Sequence, residues 1–216
     1  LYQKGAGLVV LPILFADKDR FGKDAVLART LKKSPTIIGQ IPTTDDSNSG
    51  VTRGVAKVGK SWHGWLYQYQ GVLGPIPELA KNAHAVGMLI IAPEGDGVVR
   101  RMPLVVAVGD EVYPSISLEV LRMAAGDISY QMKTGIAGVE AIRIPKYKII
   151  KTDPHGNIWL DFKWKMPVYA LHEKLPDIKG KIVILSMTAT GLDNPVTTPV
   201  GVIHSHDLIG SSLATM

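Results

Sequence analysis

Apolar residues along the chain fall into short continuous runs and helical stripes, separated by polar turns. Leu8–Phe15 (LVVLPILF) is a continuous apolar run of strand length, which is typical of a strand buried on both faces. Asp24–Lys33 places its apolar residues on one face of a helix, and Thr36–Ile41 has the pattern of a second strand. The order strand, helix, strand predicts a parallel crossover connection.

The same alternation continues to the end of the chain. Further strands are predicted at His84–Ala92, Met102–Val108, Ala141–Ile144, Lys148–Ile150, Ile158–Phe162 and Lys181–Met187. Helices are predicted at Ile76–Ala83, Ser115–Ala125, Val168–Lys174 and Ile203–Leu213. Gly109-Asp110 predicts a hairpin turn. With no internal repeat and no linker, we predict an α/β fold: a single domain, residues 1–216, with a mixed, largely buried β-sheet flanked by helices.

Composition excludes several classes of protein. Hydrophobic residues make up 46% and charged residues 20%, which indicates a globular chain. The net charge of +5 suits a position near an anionic membrane surface, but Lys and Arg are scattered, so we expect no nucleic-acid partner. Without cysteine, disulfides and thiolate metal sites are excluded. The chain opens LYQKGAG without an initiator Met and has no apolar run of the ~20 residues that a spanning helix needs, so we expect a piece of a longer protein.

Gly54–Ser61 (GVAKVGKS) matches the phosphate-binding P-loop pattern letter by letter. That chemistry requires a buried strand before the loop and a helix after it, so that backbone N–H groups face the phosphate. The preceding TTDDSNSGVTR is polar, and Gly64 and Gly71 interrupt the segment that should be helical. We therefore interpret the match as a coincidence and predict no cofactor.

His204-Ser205-His206-Asp207 is the cluster that most resembles a metal site. On a strand the two histidines would share a face, whereas on a helix residues two apart point about 200° away from each other. The flanking sequence favours a helix, so we predict packing or capping roles and no metal. No G-x-S-x-G element occurs, and we predict no catalytic residue.

Six residues are candidates for ligand binding. Asp17 and Asp19 follow the first strand, at the edge of an α/β sheet where ligand sites form. Arg100 and Arg101 are neighbours on a predicted strand, so one should point inward to a carboxylate or an anionic ligand and the other toward solvent. Asp96 and Glu119 are the predicted carboxylate partners. The remaining candidates, Tyr113 and Ser115, stand at the start of the predicted helix.

Three blocks, in this order, resemble the CHASE2 domain family. The first is ILFADKDRFGKDAVLARTLKKS, the second is HAVGMLIIAPEGDGVVRRMPLVV followed by YPSISLEVLRMA, and the third is LPDIKGKIVILSMTATGLDNPVTTPVG. In the third block, the family's positions are occupied by Gly180, Lys181, Thr188, Gly191, Thr198, Pro199 and Gly201. The chain departs from the family at Leu11-Pro12, where an Asp is common, and in a shorter ending after Pro199.

The resemblance implies a sensor without catalysis of its own. Domains of this family lie outside the cytoplasmic membrane, periplasmic or extracellular, between membrane helices that lead to a histidine kinase, a nucleotide cyclase or a Ser/Thr kinase. It implies an unknown small-molecule or environmental signal as partner and leaves a homodimer open. Two alternatives are a soluble small-molecule binding protein and a P-loop nucleotide-binding enzyme.

Overall fold

Short strands and four helices alternate along the chain in the computed structural model, which describes residues 1–189 and 192–216. The helices are α1 (Asp24–Lys33), α2 (Pro77–Asn82), α3 (Ile116–Ala124) and α4 (Ser205–Thr215). The strands are β1 (Leu8–Leu14), β2 (Thr36–Thr43), β3 (Ala56–Gly59), β4 (Gln68–Tyr69), β5 (Gly71–Leu73), β6 (Ala85–Met88), β7 (Arg101–Pro103), β8 (Val105–Val108), β9 (Glu111–Pro114), β10 (Gln131–Gly135), β11 (Gly138–Ile144), β12 (Lys148–Lys151), β13 (Asn157–Trp159), β14 (Ile182–Ile184), β15 (Val196–Thr198) and β16 (Gly201–Ile203).

A mainly parallel five-stranded sheet organises the first part of the fold. Its strands run in the order β14, β1, β2, with β1 parallel to both neighbours. Strand β2 also pairs in parallel with β6 along its first half and antiparallel with β5 along its second half. The sheet is therefore mixed, and its central strands end together at one edge.

Helices cover both faces of this sheet because the inner strands are apolar on both sides. On one face, Ala28 and Leu31 of α1 pack with Leu79 of α2 against Ile38 and Val86. On the other face, residues of α3 and α4 pack against Val10 and Ile37. Successive residues of β2 thus point into different cores, as the two-residue period of a strand requires.

A glycine allows α3 to approach the sheet closely. A Cβ added to Gly87 in β6 would lie 2.5 Å from the Cα of Ile116, a distance that no side chain tolerates. Ser115 begins the helix, and its Oγ accepts a hydrogen bond from the backbone N–H of Leu118 at 3.3 Å. The sequence therefore determines both where α3 begins and how near to the sheet it lies.

The largest core lies behind α3 and joins the first sheet to the rest of the chain. The second sheet has the order β12, β11, β10, β3, and a third has the order β4, β8, β9. Leu118 of α3 packs in this core with Met132 and Ile142 of the second sheet and Val105 of the third. The antiparallel pair of β7 with β13 and the hairpin of β15 and β16 complete the strands.

The predicted α/β class, with a mixed sheet flanked by helices, is confirmed, and three details are wrong. Met102–Val108 is two strands, because the chain changes partners at Leu104 from β13 to β9. Lys181–Met187, predicted as a core strand, contains only the short edge strand β14, whose side chains are partly exposed. Val168–Lys174 is not helical: its apolar side chains stay exposed, so no packing stabilises so short a helix. Within residues 1–189 and 192–216, no helix has the length and apolar character to cross a membrane.

Candidate functional site

The loop after β1 carries the first two predicted ligand residues, and one of them organises a helix. Asp19 Oδ2 accepts a hydrogen bond from the backbone N–H of Lys23 at 2.9 Å, just before α1. The backbone N–H of Asp19 donates to Asp24 Oδ2 at 3.0 Å. Asp17 is exposed to solvent. Asp19 therefore holds the turn into α1, and the role of both residues in ligand binding stays a prediction.

Arg100 and Arg101 form one network of alternating charges. Glu94 joins the two, accepting from Arg100 Nη1 at 3.0 Å and from Arg101 Nε at 2.9 Å. Arg100 also donates to both carboxylate oxygens of Asp96, at 3.1 and 2.7 Å. Arg101 Nη1 donates to Asp153 Oδ2 at 2.9 Å. The network ties the turn before β7 to the turn before β13.

Its electrostatics favour the charged forms of both arginines and of Asp96 and Asp153. Hydrogen bonds from Arg100, with smaller help from the Val98 N–H, lower the pKa of Asp96 to about 2. The Glu94 carboxylate raises the pKa of Arg101 above its ordinary value. Burial acts to raise the pKa of Asp153, but hydrogen bonds from Asn157 and its neighbours lower it below its usual range. Because each arginine already has carboxylate partners, the network works as a crosslink.

The prediction that one arginine points inward and the other to solvent is wrong. Arg100 precedes β7, so the alternation of a strand does not apply to it, and both side chains turn to Glu94. Their side chains are similarly exposed, at 33% and 30%. The predicted pair with Asp96 is confirmed. The predicted pair with Glu119 is wrong, because that carboxylate lies in a separate buried cluster.

This buried cluster lies between α3 and the second sheet and was not predicted. Arg122 donates from Nε and Nη2 to Glu119 Oε2, at 3.1 and 2.5 Å, and from Nη1 to the carbonyl oxygen of Asp127 at 2.7 Å. The Tyr130 hydroxyl donates to the other oxygen of Glu119. Burial, followed by the charge of Glu119, raises the pKa of Tyr130 far above its ordinary value. These contacts fix the end of α3 to the second sheet.

Tyr113 and Ser115 occupy positions inside the protein. Tyr113 packs with Val106 and Met88, and burial raises the pKa of its hydroxyl. Ser115 is fully buried, and its backbone N–H donates to the carbonyl oxygen of Leu104 at 2.8 Å. Its hydroxyl caps α3. Both residues position the start of α3, and their role in ligand binding stays a prediction.

The segment that matches the P-loop pattern does not lie between a buried strand and a helix. Ala56–Gly59, in the middle of the match, form β3, which pairs with β10. Gly59, at φ +107°, lies against the carbonyl oxygen of Thr134, which also accepts from the backbone N–H of Lys60 at 3.0 Å. No helix follows within the next several residues. The backbone of this segment therefore forms hydrogen bonds within the sheet, and its N–H groups do not converge on a phosphate site.

A cavity of about 250 Å³ lies where the central strands of the first sheet end. Its wall includes Ile41 at the end of β2, Leu89 and Ile91 after β6, Ile116 on α3 and Ile209 on α4. Three polar residues, Asn194, Ser205 and His206, complete the lining at the start of α4. This is the edge at which α/β folds bind ligands. Among the lining residues that the structure describes, none is one of the six predicted from the sequence.

The start of α4 holds a closed set of polar contacts beside this cavity. Asp193 accepts from Ser205 Oγ at 2.7 Å and lies 2.5 Å from His204 Nδ1. Burial acts to raise the pKa of Asp193, but these hydrogen bonds lower it below its ordinary value. The rings of His204 and His206 stack with centroids 5.2 Å apart. His206 is 6% exposed, and its Nδ1 has no hydrogen-bond partner among residues 1–189 and 192–216.

The helix at His206 agrees with the sequence, and in the described part of the chain no group of three or more potential metal ligands occurs.

The cavity itself was missed, because its walls come from segments more than a hundred residues apart. The one local signal was the apolar run after β6, which continues through Leu89 and Ile91 beyond the last paired residue. Where apolar residues continue beyond the last paired residue of a strand, their side chains are left uncovered at the edge of the sheet.

The turns in the third of the blocks that resemble the family also have a structural explanation. Thr198 Oγ1 donates to the carbonyl oxygen of Gly201 at 2.6 Å and closes the turn between β15 and β16, where Gly201 has φ +114°. Gly180 has φ +67°, and a Cβ on Gly7 would lie 2.9 Å from its carbonyl oxygen. Gly191 lies outside the described residues.

The fold and the cavity at its sheet edge define an α/β domain with a candidate ligand site. The family model of the CHASE2 domain matches residues 1–215, and the chain belongs to the CHASE2 family. CHASE2 domains are extracytoplasmic sensor domains found in receptors. No curated protein and no solved structure shows significant similarity to the chain.

Proposed function

We propose that residues 1–216 are the extracytoplasmic input domain of a membrane receptor and that α4 relays the signal. The receptor's output is a histidine kinase, a nucleotide cyclase or a Ser/Thr kinase. Ligand binding, or repacking of a homodimer, shifts the domain between two conformations of similar free energy. The domain itself carries out no catalysis.

The position of α4 is the observation that carries this proposal. The helix begins at the edge cavity, where Ser205, His206 and Ile209 contribute to the wall. Farther along, Leu213 packs against both the largest core and the core of the first sheet, and Met216 is buried in the largest core. A change at the cavity therefore reaches position 216 along one rigid element.

The segment before the arginine pair and the hairpin of β15 and β16 both pack against α4. Val99, which precedes the arginine pair, packs with Leu208 of α4 and Val196 of β15. The backbone N–H of Asp161 donates to Thr215 Oγ1 at 2.8 Å. These contacts hold α4 at both ends, so a shift of the helix has to change the packing of β15 and of the segment after β13.

Output activity of the full receptor in membranes tests the relay. Ile209→Ala removes a side chain that touches both the cavity and the first core, and we expect it to change basal output at least twofold at a temperature where the domain stays folded. Val26→Ala on α1, which is 48% exposed, is the matched control and should leave output unchanged. Equal output from the two variants would contradict the role of α4.

A further inference from the structure

We propose that the edge cavity binds a small, neutral, mostly apolar molecule that carries one hydroxyl group. This inference rests on the proposed sensory function and names the ligand class of the cavity. Two observations support it: the character of the cavity wall and the unpartnered imidazole of His206. The isolated chain can be tested for this binding without the receptor's output.

The size of the cavity limits the ligand. A dry cavity of about 150 Å³ holds a benzene molecule with its six carbon atoms. By the same ratio, the cavity of about 250 Å³ holds about ten non-hydrogen atoms. Most of its wall is aliphatic, so most of the ligand must be apolar. The mouth is at Ile91, Leu192 and Asn194, which are exposed, and His206 with Ile116 and Ile209 forms the buried end.

The charges around the cavity exclude an anion. No Lys or Arg is among the described lining residues. The positive end of α4 would attract an anion, but Asp193 already occupies it, accepting from Ser205 Oγ and from the Ser205 N–H at 3.4 Å. The Asp193 side chain is only 5% exposed, Asp207 lies in the first turn of α4, and the imidazole of His204 is already paired with Asp193, so a carboxylate ligand would meet two carboxylates. The ligand is therefore neutral.

His206 determines the polar group of the ligand. A buried polar atom normally has a hydrogen-bond partner, and leaving one unpaired is costly. The Nδ1 of His206 is enclosed by protein and out of a ligand's reach, so only Nε2 can meet the cavity, and this atom is 3.9 Å from Asp207 Oδ1, beyond hydrogen-bond range. A ring nitrogen donates or accepts according to the tautomer. A hydroxyl group both donates and accepts, so it can pair with the imidazole in either tautomer.

Methyl-resolved NMR titration of the 216-residue chain tests the proposal. The probes are benzyl alcohol, toluene, which lacks the hydroxyl, and benzoate, which replaces it with a carboxylate. We expect benzyl alcohol to cause saturable shifts of the Ile41, Leu89 and Ile209 methyl signals. Toluene should bind about fivefold more weakly, the effect of one net hydrogen bond, and benzoate at least tenfold more weakly. Benzoate binding as tight as that of the alcohol would overturn the neutral-ligand assignment.

Two variants assign the binding to the cavity and to the imidazole. His206→Phe should bind benzyl alcohol and toluene within twofold of each other. Ile91→Trp fills the mouth from a position that is 40% exposed and should abolish binding, whereas Ile136→Trp, at an 88% exposed turn, should not. Native-like binding by Ile91→Trp, or no saturable shift with any probe in the native chain, overturns the proposal. Neither result affects the extracytoplasmic position or the relay through α4, which are measured on the receptor.

Discussion

Replacing Arg122 by Met should destabilise the domain strongly, because it breaks the buried cluster at the end of α3. The guanidinium is 5% exposed and its partner Glu119 1% exposed. After the substitution, the Glu119 carboxylate keeps, in the described part of the chain, only the hydrogen bond from Tyr130, and the carbonyl oxygen of Asp127 loses the hydrogen bond from Arg122. Met fills a similar length of apolar space, so the lost charge partner is the main change.

The size of the effect follows from the burial of the charges. Removing one member of a buried ion pair costs about 3–5 kcal/mol, because the remaining charge is left uncompensated. Unfolding entropy is about 2.1 cal/mol/K per residue near 60 °C, so a chain of 216 residues has about 450 cal/mol/K. The expected fall in Tm is therefore about 7–11 °C.

Thermal unfolding followed by circular dichroism measures the change, with two comparison variants. Lys133→Met removes the ion pair with Glu140, whose side chains are 68% and 47% exposed, and should cost less than about 1 kcal/mol. The double variant Arg122→Met with Glu119→Leu replaces the pair by apolar groups and should recover most of the loss. If Arg122→Met and Lys133→Met lower the Tm equally, the reasoning from burial is refuted.

Three further predictions concern the first sheet and the charged network. Ser115→Ala should cost about 1 kcal/mol in urea unfolding, because α3 loses its N-cap; an unchanged midpoint would contradict this role. Gly87→Ala should destabilise the domain, since its Cβ would lie 2.5 Å from Ile116, whereas Gly95→Ala, with nothing within 4 Å, should not; equal midpoints would disprove the close approach. The lowered pKa of Asp96 contributes stability that is present above pH ~4 and is lost as the pH falls through about 2. In a plot of the free energy of unfolding against pH, the Asp96→Asn variant should therefore lose less stability at acidic pH than the native chain. An unchanged pH dependence would show that the pair with Arg100 is not formed.

Local patterns predicted the elements that bury a continuous apolar face. The run Leu8–Phe15 and the helical stripe of Asp24–Lys33 became β1 and α1, and the start of α3 at Ser115 was visible from its neighbours. The same reasoning failed at Val168–Lys174, where the pattern is present but nothing packs on it. The period of the apolar residues shows which face of an element can be buried, but whether another element packs on that face depends on the tertiary structure.

Features that depend on distant residues could not be predicted. Asp96 is four residues from Arg100 and was identified, whereas Asp153 is 52 residues from Arg101 and was not. The cavity is a stronger example, because Ile41 and Ile209 meet only through the order of strands in the first sheet. The family resemblance predicted the type of domain, since it rests on turn glycines and caps that are local in sequence.

Thiol labelling of the receptor in intact cells tests the extracytoplasmic position most directly. The 216 residues contain no cysteine, so Ile136→Cys, at an 88% exposed position, introduces the only thiol of the domain. Ala107→Cys, at a fully buried position, is the matched control, and the receptor without either change gives the background. We expect a membrane-impermeant maleimide to label the Ile136→Cys receptor in intact cells and the Ala107→Cys receptor only after denaturation. Labelling of Ile136→Cys only after the cells are broken would place the domain in the cytoplasm and contradict the account.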